Sequence, residues 1–360
     1  MVNTGILPAE ALAGLVEQGA IRLPPSAGAG RLQPASLDLT LGRRGWRVRA
    51  SFLPSRRRRV AERLADGLAM HEIDLSERAA LERGCVYLIE LGEALALPAG
   101  LSGAANPKSS TGRIDVFVRL VTDFGAAFDE IPDGYQGPLY AEVSPRSFSI
   151  LAREGSSLNQ LRLRRGQSRL SDAETLTLHR ETALVDAEAD IDGGVGVRAR
   201  ISGAKGETIG WRARRHAALI DVDRVGALDP EDFFERVLAP KSGFIILDPD
   251  EFYILASREA VCVPPDCAAE MTPINPGLGE FRVHYAGFFD PGFGWGGGKS
   301  RAVLEVRSHD APFVLEDGQL VARLAYERMA SRPARLYGAG VASNYQHQGL
   351  KLSKHFAPTE

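Results

Sequence analysis

Apolar positions in this chain fall mostly into short runs rich in β-branched and aromatic residues, set apart by Gly, Pro, Asn and Asp. Runs of that kind, bounded by turn formers, predict strands. They occur in ASLDLTLG (35–42), CVYLIEL (85–91), FVRLVT (117–122), GFIIL (243–247), EFYILAS (251–257), AVLEV (302–306) and LVARLAYE (320–327). Helical spacing is confined to a few places. PAEALAGLVEQG (8–19) carries it and stops on Gly19, and DPEDFFERVL (229–238) is a second predicted helix. The pattern therefore predicts a mainly β protein with a few peripheral helices.

The runs also recur. CVYLIELGEALALP (85–98) aligns with EFYILASREAVCVP (251–264), setting Tyr87 on Tyr253, Glu93 on Glu259 and Pro98 on Pro264. YAEVSPRSFSILAREGSSLNQL (140–161) aligns without a gap with VLEVRSHDAPFVLEDGQLVARL (303–324). This second block sets Glu142 on Glu305, Gly155 on Gly318 and Leu161 on Leu324. Between the blocks the offset changes by only three residues, so internal duplication accounts for the similarity better than chance likeness of β-rich segments. Two domains are expected, 1–170 and 171–360, each large enough for its own core.

The copies differ where chemistry would sit. Opposite Lys108-Ser109-Ser110-Thr111-Gly112-Arg113 the second copy has Ile274-Asn275-Pro276-Gly277-Leu278-Gly279, and the polar cluster is gone. Conversely, HYAGFFDPGFGWGGG (284–298) stands where the first copy has the less regular VTDFGAAFDEIPDGYQG. Only the second copy is followed by a long polar tail, LYGAGVASNYQHQGLKLSKHF. The halves have divided some labour.

Composition narrows the partners. With 360 residues, 44% hydrophobic and 25% charged, the chain has ordinary soluble globular make-up, and its net charge of −3 argues against a general nucleic-acid binder. The run Arg56-Arg57-Arg58-Arg59 is the local exception, read as a solvated loop or helix face, with a phosphate or regulatory contact as the alternative. No stretch approaches the roughly 18 continuous apolar residues of a membrane span. The start, MVNTGILPAEALAGL, lacks a basic segment followed by an apolar one. Three cysteines, Cys85, Cys262 and Cys267, make a disulfide framework unexpected and a cytoplasmic location expected.

Four clusters could carry chemistry. Lys108, Ser109, Ser110 and Arg113 combine hydroxyls, a Gly-loosened backbone and two cations, which suits phosphate oxygens, although such clusters are also ordinary turns. The G-x-x-x-x-G-K-[ST] spacing is absent. Glu305 lies in an apolar strand, as does its counterpart Glu142; a carboxylate there either points to water from an edge or serves as a poised acid and base. FDPGFGWGGG offers Asp290 beside aromatics at a tight turn, where it could accept a hydrogen bond from a sugar hydroxyl or simply close a β-turn. The tail, with Tyr337, Tyr345 and Gln348, could fold over a ligand or remain a disordered terminus. A zinc hydrolase is poorly supported: the seven histidines are scattered and the H-x-E…P-C-x-x-C signature is missing. The serine elbow G-x-S-x-G and the dinucleotide G-x-G-x-x-G opening a helix are missing as well.

Taken in order, these elements resemble the dCTP deaminases, relatives of the trimeric dUTPases. An opening helix precedes LQPASLDLTLG (32–42), like the family's Ser-x-Asp strand. KSSTGR is similar to its Ser-Ser-x-x-Arg phosphate motif, HYAGFFDPGF to its nucleoside turn, AVLEV to the strand of its catalytic Glu, and YGAGVASNYQHQG to its closing Tyr…Tyr-x-x-Gln arm. Nearly the whole chain is covered, at about twice the usual subunit length, so it resembles a duplicated branch. The resemblance implies two tandem dUTPase-like domains of distorted β-barrel or jelly-roll type, with active sites at interfaces. It implies that Lys108, Ser109, Ser110 and Arg113 hold a triphosphate that arrives with Mg²⁺, and that Asp290 meets the deoxyribose 3′-hydroxyl. Val303 and Leu304 would offer backbone to the cytosine edge, Glu305 would be the catalytic acid and base, and Tyr337 and Gln348 would close over the nucleotide. The family's arm carries a Lys before its second Tyr; here that position is Asn344, and Lys351 is a candidate substitute.

The implied reaction is dCTP + H₂O → dUTP + NH₃, with no zinc, no metal bound by the protein and no organic cofactor. dTTP is an expected inhibitor and a homotrimer the expected assembly. Two alternatives remain at this point: a dUTPase, or bifunctional enzyme taking dCTP to dUMP, and a non-catalytic deoxynucleotide sensor. The Arg-Gly…Gly-Phe-Gly-Ser run of dUTPase tails is absent from this tail, which favours deamination alone. Glu142 reads as a relic or a structural residue.

Overall fold

The apolar runs pair into antiparallel sheets, because alternate side chains of each run need a buried face and their backbones need partners. The computed structural model describes residues 4–25, 30–275, 281–283, 287–297, 300–308, 310–341 and 345–358. It is mainly β, with few helices. Two compact units form. One comprises Met1–Ser168, Ala218–Val225 and Met329–Ala334; the other comprises Arg169–Ala217, Gly226–Arg328 and Arg335–Glu360. Among the described residues no helix is long and apolar enough to cross a membrane.

In the first unit the predicted opening helix spans Ala9–Glu17, buries Ala9, Leu12 and Leu15, and ends before Gly19, whose φ of 75° suits only a residue without a Cβ penalty. One sheet runs in the order Glu130–Ile131, Leu101–Pro107, Asn159–Arg165, Ser36–Leu39, Leu32–Gln33. A second runs Val116–Thr122, Gln136–Pro145, Val86–Ala96, Leu41–Val48, Ala69–Asp74. A small third sheet has Ile150–Ala152 at its centre, antiparallel to Ala79–Leu81 and parallel to Ile220–Asp221 from far downstream.

In the second unit, one sheet runs Val195–Arg198, Leu320–Arg328, Cys267–Pro273, Phe288–Phe289. The other runs Phe234–Leu238, Thr208–Ala213, Phe252–Val261, Ser300–Ser308, Phe281–Val283. Val197, Ala269, Leu324 and Tyr326 of the first sheet and Ile209, Leu255, Leu304 and Val306 of the second share one buried cluster. That cluster fixes the strand Ser300–Ser308 from its inner side.

The two units use the same pairing where the sequence aligns. Tyr87 faces Val143 and Leu88 faces Glu142; Tyr253 faces Val306 and Ile254 faces Glu305. The Tyr87 hydroxyl accepts from the Glu82 N–H at 3.1 Å, and the Tyr253 hydroxyl from the Asp248 N–H at 3.2 Å. The aligned carboxylates Glu93 and Glu259 are both buried, each taking a backbone N–H at 2.9 Å, from Thr40 and Arg198, and each paired with an arginine, Arg31 and Arg198.

One helix expectation is corrected. DPEDFFERVL forms a single turn, Pro230–Phe233, and then a strand, Phe234–Leu238, paired with Thr208–Ala213. Phe233 and Phe234 are both deeply buried and both meet the Phe356 ring edge-on at 5.4 Å. The sequence reading also passed over the helix Asp172–Glu181, whose only buried residue is Thr175.

Candidate active site

The KSSTGR cluster is a helical turn rather than an open loop. Ser109–Gly112 make one turn capped by Lys108, whose carbonyl accepts from Thr111 at 2.8 Å and Gly112 at 3.0 Å. The turn is anchored by the Lys108 N–H on the Leu158 carbonyl at 3.0 Å. Lys108 and Ser109 are half-buried, while Ser110 and Arg113 are buried. The Lys108 ammonium is held by the Asp38 carboxylate and reaches Ser157 Oγ at 3.4 Å. Asp38 went unnoticed as a site residue in the sequence; its signal was an acid in the apolar strand Ser36–Leu39. This group belongs to the first unit.

Val303, Leu304 and Glu305 belong to the second unit, on the strand Ser300–Ser308. They face Ala256, Leu255 and Ile254 on one side, while on the other side the described pairing runs from Val306 to Ser308. Glu305 is only 5% exposed, so the expectation of a solvated edge carboxylate does not hold. A bulge at Ser257–Glu259 shifts the register next to this strand, and Ser257 Oγ accepts the Ala302 N–H at 2.9 Å.

Asp290 is buried at a turn that follows Phe288–Phe289. The glycines of FDPGFGWGGG prove to be steric necessities at two places. Gly292 has φ 100° and a Cβ there would lie 2.9 Å from Leu336 Cβ; Gly294 has φ 66° and a Cβ there would lie 2.1 Å from the Val261 carbonyl oxygen. The turn is therefore rigid. It packs Phe293 against Phe289 at 5.1 Å and against Tyr337 at 5.8 Å, and the Tyr337 N–H donates to the Pro291 carbonyl at 2.8 Å.

The described residues 345–348 of the tail are hydrogen-bonded to the strand Ser300–Ser308. Gln348 Nε2 donates to the Arg301 carbonyl at 2.9 Å, and the Arg301 N–H donates to the Gln348 carbonyl at 2.9 Å. Tyr345 is buried, with Lys351 Nζ 5.8 Å from its ring centroid. Asn344 lies outside the described residues, as do 276–280, 284–286 and 298–299 of the segments singled out in the sequence. Within the second unit, hydrogen bonds tie the Asp290 turn to Tyr337, and Gln348 to the strand that carries Val303–Glu305.

The remaining charged and nucleophilic candidates have structural partners. Glu142 is 3% exposed and takes two hydrogen bonds from Arg119, at 3.1 Å from Nε and 2.5 Å from Nη2. In the arginine run, Arg58 pairs with Asp66 at 2.5 Å and Glu62 at 3.8 Å, and Arg59 lies 5.9 Å from the Phe124 ring centroid; Arg56 and Arg57 are exposed. Burial pushes the Cys262 thiol up to about 11 and Cys267 up to about 12, which keeps both protonated near neutral pH.

Comparison with known proteins adds a family to this geometry. Residues 3–167 match the model of the 2′-deoxycytidine 5′-triphosphate deaminase N-terminal domain, and residues 171–356 match that of the C-terminal domain. A protein of Beutenbergia cavernae named dCTP deaminase, dUMP-forming, is 31% identical over 146 residues, 38% of this chain and 73% of its own. A dCTP deaminase of Haloarcula marismortui is 30% identical over 128 residues, 34% of this chain and 63% of its own. The crystal structure of 2′-deoxycytidine 5′-triphosphate deaminase from Agrobacterium tumefaciens is 52% identical and superposes with a TM-score of 0.87, covering 91% of this chain and 99% of that one.

Proposed function

This chain belongs to the 2′-deoxycytidine 5′-triphosphate deaminase family and is a hydrolase that deaminates dCTP; on that premise we propose that Glu305 is the general acid and base of the reaction. Glu305 takes a proton from a water held at the site, and the resulting hydroxide attacks C4 of cytosine. The same carboxyl passes that proton to N3, then takes the proton of the new C4 hydroxyl and hands it to the departing amine, so dCTP and water leave as dUTP and ammonia. Protonation at N3 makes C4 electrophilic, so the step asks for positioning and proton transfer rather than a resident zinc or an organic cofactor. The observation that supports this best is the deep burial of Glu305 on the strand to which the Gln348 arm is hydrogen-bonded. A carboxyl buried on that strand is shielded from bulk water, the setting in which general acid–base catalysis operates.

Around that centre, Val303 and Leu304 offer main-chain groups to the cytosine edge, Asp290 accepts the 3′-hydroxyl, and Tyr337 and Gln348 cover the nucleotide. Lys108, Ser109, Ser110 and Arg113 hold the triphosphate, which brings its Mg²⁺ as part of the substrate. Asp38 keeps the Lys108 ammonium from swinging into solvent. Each unit is read as a dUTPase-like β-barrel or jelly roll, one a duplicate of the other, and three chains as the assembly. The matched cross-strand registers support the duplication. dTTP shares the sugar and phosphates and differs at the base edge, which makes it the natural inhibitor. Three free cysteines suit a reducing, cytoplasmic setting.

A second reading has one specific observation in its favour: the Beutenbergia cavernae relative carries a dUMP-forming name. An ammonia-release assay with dCTP, CTP and dCMP in competition, with pyrophosphate followed alongside, tests both. Deamination alone gives ammonia without pyrophosphate, fastest for dCTP. Equal turnover of dCMP would remove the triphosphate role from Lys108, Ser109, Ser110 and Arg113, and stoichiometric pyrophosphate would favour the second reading.

A further inference from the structure

Gln346 stands between the two Gln348-side anchors and the Asp290 turn, and nothing in the functional reading uses it. Its side-chain oxygen accepts the Gly294 N–H at 3.3 Å, and its side-chain nitrogen donates to the Gly292 carbonyl at 3.1 Å. Both partners are the glycines whose backbone tolerates no Cβ. The stem of Gln346 lies against Gly338, where a Cβ would come within 2.6 Å of Gln346 Cγ and where φ is 76°. One residue on, the His347 N–H donates to Ser300 Oγ at 2.9 Å, and Gln348 exchanges its two hydrogen bonds with Arg301. The amide of Gln346 therefore joins three pieces that are separate in sequence: the turn that carries Asp290, the turn that carries Tyr337, and the arm that ends on the Glu305 strand.

We propose that Gln346 is a positioning residue for sugar recognition: its amide, seated between Gly292 and Gly294, sets the Asp290 turn at the height where the carboxylate meets a 3′-hydroxyl. An amide suits this task because it presents one acceptor and two donors on a planar group, matching a carbonyl and an N–H two residues apart on a tight turn. The inference rests on the reading of Asp290 as the 3′-hydroxyl acceptor, and the test separates the two.

The test compares dCTP with 2′,3′-dideoxycytidine 5′-triphosphate, which lacks only that hydroxyl, in the intact enzyme and in Gln346→Met and Asp290→Ala. Met keeps the length and stem of Gln346 and removes both hydrogen bonds; a thermal melt confirms that the fold is kept, and Gly338→Ala displaces the same side chain from its other face as a second route. In Gln346→Met the preference for dCTP in kcat/KM is expected to fall about tenfold, through KM, with kcat changed by less than about threefold. A loss of general stability alone would lower activity on both nucleotides equally and leave the preference intact. Preference lost in Asp290→Ala but kept in Gln346→Met overturns the role of Gln346; preference kept in Asp290→Ala overturns the sugar-binding reading itself.

Discussion

Glu142 and Glu305 align in the sequence and sit at the same register against their neighbouring strands, opposite Leu88 and Ile254. Glu142 lies directly opposite Arg119 and is ion-paired to it, with the guanidinium also against Phe117 and Phe128 at 4.8 and 3.6 Å from the ring centroids. With that arginine clamped on it, Glu142 is expected to be structural. Removing the arginine leaves a buried charge unanswered. Arg119→Ala is expected to cost about 3 kcal/mol, read from urea denaturation, whereas Glu142→Gln is expected to leave dCTP deamination close to the parent rate. Both carboxylates were visible in the sequence as acids within apolar runs. Arg119 was visible too, in FVRLVT, but cross-strand register is set by pleat and turn geometry that a single sequence does not display.

At the scale of elements, legibility followed burial. The helix Ala9–Glu17 and the strand Val86–Ala96 show their apolar periodicity because one face of each is the more deeply covered. The helix Asp172–Glu181 shows none, since it buries only Thr175, and its one sequence signal is the capping box Ser171-x-x-Glu174. That box carries much of its stability. The backbone N–H of Ser171, then its hydroxyl, then Arg328 hold the Glu174 carboxyl down at about 2, against an ordinary 4.5. A depressed carboxyl stabilises the fold above its unfolded value, so this contribution is full above about 4.5 and disappears as pH falls toward about 2. Ser171→Ala is expected to lose ~1 kcal/mol at neutral pH. Glu174→Gln is expected to flatten the acid limb of the stability–pH profile over that window; an unchanged limb would show the box to be idle. DPEDFFERVL misled for the opposite reason: its apolar spacing fits a helix, but the residues after Phe233 pair with Thr208–Ala213 as a strand.

At the scale of the whole molecule, the sequence blocks that align coincide with paired strands that keep the same register. What the alignment did not display is that the first unit takes in two segments from far downstream, Ala218–Val225 and Met329–Ala334. The first supplies the parallel strand beside Ile150–Leu151, and the second brings Met329 to bridge Ile6. Neither carries a motif, since a two-residue strand has no periodicity to read. A fragment of residues 1–168 lacks both and is expected to melt at least about 5 °C below the lower transition of the intact chain by calorimetry; equal midpoints would show that the added segments contribute nothing. Catalysis, in contrast, is proposed to turn on a single group. The most direct measurement is ammonia release by Glu305→Gln at saturating dCTP, with dCTP affinity measured on the same sample. The account predicts affinity within a few-fold of the parent and turnover lower by roughly 10²–10⁴-fold. Turnover at the parent rate, with dCTP still bound, would contradict it.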